Sequence, residues 1–145
     1  MKITTKYHGE MEFSEKDIWH FAKGIPGFPD EQQFILYPLA DNEVFSILQS
    51  VTNQDIAFVV TSPFVFFLDY DFTLDENVVS FLQLEKSSDV LPLVILTLGK
   101  TLATSTANLQ APLILNAKNK QAKQVILHDT NYHTKHKLKQ TVEQR

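Results

Sequence analysis

From Ile56 to Asp75 the chain is more apolar and more aromatic than anywhere else, and the run ends abruptly in carboxylates. Ile56–Val60 and Phe64–Leu68 each have the length and the β-branched or aromatic content of a strand, with the turn-prone Ser62-Pro63 between them. Apolarity that is near-continuous rather than alternating predicts strands covered on both faces. The rest of the 145 residues then has the job of covering them.

The same stretch carries the sharpest chemical motif. Asp69-x-Asp71-x-Thr73, after an apolar strand and before a helix start, resembles the first motif of haloacid-dehalogenase-type phosphatases. In that setting the first carboxylate attacks phosphorus, the second moves the proton, and Mg²⁺ neutralises the phosphoryl oxygens. The surrounding chain argues against it. Phe72 stands where a glycine is expected, and no later strand ends in an acidic pair. The alternating βαβ units that this fold needs are not readable. A Ca²⁺ loop fails as well, because Leu74 falls at the turn glycine and Ser80 at the bidentate acid.

Composition narrows the class further. Apolar residues are 43% and charged residues 21%, the proportions of a folded domain, and one domain over 1–138 with a polar, basic tail over 139–145 fits the length. Cysteine is absent, which excludes thiolate metal sites and a cysteine nucleophile. The N-terminus lacks the apolar core of a signal peptide, and no apolar run is long enough to span a membrane. The expected location is the cytoplasm, with no membrane contact. Before Leu98 fifteen Asp and Glu face five Lys, a balance of −10; from Leu98 onward seven Lys and Arg145 face Asp129 and Glu143, a balance of +6. An acidic body of this kind favours a basic partner.

In chain order, Lys2–Tyr7 and Glu10–Phe13 read as a hairpin about His8-Gly9, and Trp19 as core. Gly24, Pro26, Gly27 and Pro29 predict a rigid loop over 21–30. Gln33–Tyr37 and Val44–Gln49 read as strands joined by an Asp41-Asn42-Glu43 turn. Thr73-x-x-Glu76 has the form of a capping box, and Leu74, Val78, Phe81 and Leu82 recur at helical spacing, so a helix is expected over 74–84. Leu91–Leu98, Thr106–Gln110, Leu113–Asn116 and Gln124–Leu127 read as further strands, and Tyr132–Arg145 as a loose or helical end. The sum is a mainly β, small antiparallel barrel-like (pseudobarrel) domain with one short helix.

His133-x-x-His136 has no fixed third ligand in sight, and the basic end has too little aromatic surface to bind RNA directly. No catalytic triad is legible. The residues therefore point to a protein that is not an enzyme and needs no cofactor or metal, with a phosphohydrolase using Asp69 and Asp71 as the alternative.

Two blocks give the chain a relative. Phe21-x-x-Gly24-Ile25-Pro26-Gly27-Phe28 and Thr106-Ala107-Asn108-Leu109-Gln110-Ala111-Pro112 occur in this order, with Leu48-Gln49-Ser50 and Ala57-Phe58-Val59-Val60-x-x-Pro63 between them. Together they resemble the FliW family of flagellar assembly factors over residues 3–138. The resemblance implies a cytoplasmic, non-enzymatic β-barrel protein that binds flagellin. When flagellin is depleted, such a protein binds the translational regulator CsrA, away from its RNA-contacting surface, and relieves repression of flagellin mRNA. For CsrA, a basic RNA binder, the expected contacts are Asp69, Asp71, Asp75 and Glu76. For flagellin, whose terminal segments are amphipathic helices, they are Phe28 with its loop and Asn108, Gln110 and Asn116.

Overall fold

A computed structural model describes residues 1–138 apart from 26, 40–43, 102–103 and 129. The expected Asp41-Asn42-Glu43 turn and the 139–145 tail lie outside the described residues. The strands are β1 (Lys2–Thr5), β2 (Gly9–Glu12), β3 (Trp19–Phe21), β4 (Gln33–Pro38), β5 (Phe45–Ser50), β6 (Ala57–Thr61), β7 (Val90–Thr97), β8 (Thr106–Ala107), β9 (Leu113–Asn116), β10 (Gln121–Gln124) and β11 (His136–Lys137). The helix α1 spans Glu76–Leu82.

β1 and β2 form a separate hairpin. The others join in the order β11-β8-β7-β6-β5-β4-β3-β10-β9, and β9 returns to pair with β7, closing a barrel of seven strands. The expected mainly β, barrel-like domain is what the chain forms, with one refinement. A ring with an odd number of strands cannot alternate direction all the way round. One pairing has to be parallel, and it is β10 with β3, through Gln121↔His20 and Ala122↔Phe21.

Alternate residues of these strands serve two apolar clusters, as the period-two geometry of a strand requires. Phe34, Leu48, Val60, Leu93, Leu113 and Leu115 belong to one, together with Trp19, Phe21 and Ala122, so all seven closed strands contribute to it. Their neighbours Ile35, Ile47, Val59, Val94 and Ile114 belong to the other, where Phe66, Tyr70, Val78 and Leu82 also pack. Near-continuous apolarity in β6 therefore does mean cover on both faces.

Gln49 is fully buried; its Oε1 accepts from the Lys6 N–H at 2.9 Å, and its Nε2 donates toward the carbonyls of Ser50 and Gln54, both at 3.1 Å. One side chain thus joins the hairpin to the β5–β6 turn.

The helix is shorter than the spacing predicts and begins differently. Asp75, rather than Thr73, is the N-cap, its Oδ1 accepting from the Asn77 N–H at 2.9 Å. Gln83 ends α1 in the left-handed region at φ 57°. The buried Asn116 closes that end, its Nδ2 donating to the Leu82 carbonyl at 2.8 Å. Asn116→Ala should lower stability by about 1–3 kcal/mol, because a buried carbonyl loses its donor; a urea melt with an unchanged slope would measure it.

The last two predicted segments also differ. Gln124–Leu127 is a strand only through its first residue, since β10 ends at Gln124. Beyond it Val125 and Leu127 donate to the carbonyls of Pro112 and Gln110 at 2.9 and 2.8 Å. Instead of a loose or helical end, residues 136–137 pair with β8.

Candidate functional site

The largest departure from the sequence reading falls in the most apolar stretch. Phe64–Leu68 is not a strand: Pro63–Val65 is a turn of 3₁₀ helix with Pro at its start, and the chain bends again through Tyr70. Tight turning sends consecutive side chains in different directions. Phe66 and Tyr70 go inward, and Phe66 stacks on Phe45 at 5.9 Å with the planes 10° apart. Phe64 and Val65 are left 41% and 44% exposed, and Leu68 74%. A ridge of three large apolar side chains in solvent is the site's main feature.

Tyr70 holds that ridge in place. Its hydroxyl donates to the Leu109 carbonyl at 2.7 Å, and its ring lies 4.7 Å from Tyr132, 5.4 Å from Phe72 and 6.0 Å from Phe64. Burial pushes the Tyr70 hydroxyl well above the usual tyrosine range, and nearby Tyr132 adds to the effect. It stays a neutral donor at any physiological pH. Asp69 and Asp71 are exposed beside the ridge, and the Asp71 N–H donates to the Tyr132 hydroxyl oxygen at 3.0 Å.

A cleft of about 430 Å³ opens next to them, between residues 71–75 and 125–128. Asp71, Phe72 and Asp75 form one wall, and Val125, the exposed Ile126 and His128 are on the other. Glu76 is exposed in the first turn of α1. The four acids expected to attract a basic partner, Asp69, Asp71, Asp75 and Glu76, are all exposed.

The other expected contacts do not share one surface role. Phe28 is exposed and packs edge-on against Phe58 at 5.8 Å. Its loop is fixed by Gly24, at φ +66°, and by the Ile25↔Phe28 bridge. Asn108 and Gln110 are half-buried, and the Asn108 Oδ1 accepts from the Ala111 N–H at 3.1 Å. Asn116 is spoken for inside the fold by the end of α1.

The phosphatase arrangement has no support in this geometry. Asp69 lies on an exposed turn rather than at the end of a strand, and β6 has antiparallel neighbours on both sides. Among the described residues no group of three or more His, Asp or Glu is placed to hold a metal ion. His133 and His136 stack on each other at 3.8 Å. The His136 Nε2 accepts the His133 N–H at 2.9 Å, so it serves as a fold contact in its neutral form.

That contact sets a pH response. Burial, then the charge on His133, lowers the His136 pKa below 6.5. The unfolded chain binds the proton more readily, so the stabilisation is complete above 6.5 and fades as pH falls through the lowered value. The prediction is that amide protection around residues 133–138, each exchange rate taken relative to the intrinsic rate at the same pH, falls on acidification below 6.5, and that His136→Gln loses this response.

The sequence model described as FliW protein matches residues 2–138. The chain belongs to the FliW family. Relatives called flagellar assembly factor FliW include one from Bacillus pumilus (strain SAFR-032), 51% identical over 138 residues that cover 95% of this chain and 96% of the relative. Another, from Bacillus subtilis (strain 168), is 49% identical over the same shares. A third, from Geobacillus kaustophilus (strain HTA426), is 51% identical over 95% of each chain. A crystal structure titled as the flagellar assembly factor FliW superposes with a TM-score of 0.91 at 48% identity, covering 95% of this chain and 96% of that one. The FliW family is one of non-enzymatic assembly factors, which removes the hydrolase alternative.

The sequence singles out the exposed acids by their charge but not Phe64, Val65 and Leu68 as surface residues. The available signal was Pro63 directly before a run with no alternation, a pattern that suits a turn start as well as a buried strand. No helix among the described residues is long and apolar enough to cross a membrane.

Proposed function

We propose that this chain is a cytoplasmic flagellar assembly factor that works by sequestering proteins. It holds flagellin before export and, when flagellin runs low, binds CsrA away from its RNA-contacting surface. The observation that carries this reading is the ridge of Phe64, Val65 and Leu68 with Asp69 and Asp71 at its border. An exposed apolar strip suits the apolar face of an amphipathic helix, the form of flagellin's terminal segments. Carboxylates around it suit a basic RNA-binding protein and would speed encounter more than they deepen affinity. Phe28 is a further exposed anchor for flagellin.

The test is co-purification with flagellin and with CsrA, separately and in competition. Capture of each alone, with flagellin displacing CsrA, is the expected result. A chain that captures neither, or both at once without competition, refutes the reading.

A further inference from the structure

One aromatic side chain stands in solvent outside both apolar clusters and outside the ridge. Phe81, on α1, is 39% exposed, and the Lys23 and Lys123 ammonium groups each lie 5.4 Å from its ring centroid. Cations are attracted to the face of such a ring, and the two ammonium groups are at most about 11 Å apart, the sum of the two distances. Neither is in an ion pair; among the described residues the one salt bridge joins Lys118 to Glu85.

The backbone beneath these side chains is fixed. The parallel pairing of β10 with β3 sets Ala122 opposite Phe21, so Lys123 and Lys23 follow paired strands that run in the same direction. The His20 N–H donates to the Lys120 carbonyl at 2.8 Å, and the Gly24 N–H turns back to the Phe21 carbonyl at 2.7 Å. The Asn119 Nδ2 donates to the Leu82 carbonyl at 3.1 Å, tying the β9–β10 turn to the end of α1. Three separate parts of the chain therefore present two cations and a ring with little left to order on binding. Lys120 is engaged elsewhere, its ammonium 3.9 Å from the Trp19 ring centroid in a cleft shared with Asp17. The unanswered positive charge is that of Lys23 and Lys123. Like charges held this close repel, and a carboxylate brought to them is attracted by both.

We propose that Phe81, Lys23 and Lys123 form a docking site for a short acidic segment of a partner protein, with carboxylates on the ammonium groups and an apolar side chain on the ring. The site does not depend on the sequestering role, because none of the three residues belongs to the ridge or lines the acidic cleft. Its partner has the opposite charge to the basic protein expected at Asp69 and Asp71. Nucleic acid fits less well, since two lysines neutralise few phosphates and the polyanion would continue over a chain of net charge −4.

Anisotropy at low salt tests it, using a fluorescein-labelled peptide with glutamates on both sides of a leucine. The same peptide with glutamines, and a single-stranded RNA, are the comparison probes. The glutamate peptide should bind and the glutamine peptide should not. Lys23→Glu with Lys123→Glu should weaken binding roughly tenfold and flatten its salt dependence. The same change in net charge made elsewhere, Lys2→Glu with Lys100→Glu, should alter it by less than about twofold. Phe81→Ser, which keeps both lysines, should weaken it roughly threefold, the scale of one exposed cation–ring contact. A thermal melt verifies that each variant is folded. Lys23→Gln with Lys123→Gln, which adds no repulsion, should show a smaller loss in the same direction. Equal losses from the two Lys→Glu pairs would assign binding to the overall field and overturn the site. RNA binding tighter than the glutamate peptide would overturn the protein partner. Sedimentation showing self-association that the Lys23→Glu, Lys123→Glu chain loses would make a second copy the occupant, and would overturn it equally.

Discussion

Gly24→Ala should unfold the protein roughly 4–20 °C below the unaltered chain. Gly24 sits at φ +66°, in the left-handed region where a Cβ costs about 1–2 kcal/mol. It is also buried, and a Cβ there would lie 2.5 Å from the Pro29 carbonyl oxygen and 2.6 Å from its Cα. Both are backbone atoms and cannot swing aside, so relief requires moving the loop that ends in Phe28. Overpacking of this kind adds about 1–3 kcal/mol, and a chain of this size loses roughly 2–4 °C per kcal/mol. Gly9→Ala is the matched control. Its φ is +69°, yet nothing lies within 4 Å of its Cβ position, so it bears the backbone cost alone. Equal melting temperatures for the two variants would show that the Pro29 contact does not constrain the loop.

The Gly-Pro loop was legible because its residues leave few backbone choices. β4, β5, β7 and β9 were legible because short apolar runs between turn residues admit little else. The seven-strand closure was not, because parity around a ring is a property of the whole sheet and no local pattern carries it. Helix capping was legible in kind but misplaced by two residues, since Thr73 and Asp75 both have a side chain able to cap and only the packing of Val78 and Leu82 chooses between them. The acids at 69–76 stand out from charge alone, and all four are exposed. The pairing of Lys23 with Lys123 about Phe81 joins residues 100 positions apart and depends on the register of a parallel pair.

The same limit hid the ridge, and its second large prediction follows from that. In sequence Phe66 and Leu68 look alike, two apolar residues in one run, yet they should fail in opposite ways when changed. Phe66 is buried against Phe45, so Phe66→Ala should cost about 3–5 kcal/mol of stability whatever the partner. Leu68 is 74% exposed, and Leu68→Asp should leave the melting temperature nearly unchanged, since surface substitutions usually stay within about 0.5 kcal/mol. Its effect should appear on binding. A carboxylate set at the apolar centre of an interface is desolvated without a partner, and losing one central anchor is worth about 2 kcal/mol or more. That is roughly a thirtyfold fall in affinity for an apolar helical partner such as flagellin. Titration calorimetry with flagellin, run beside a thermal melt, separates the outcomes. A fully folded Leu68→Asp chain that binds flagellin as tightly as before would exclude the ridge from the interface.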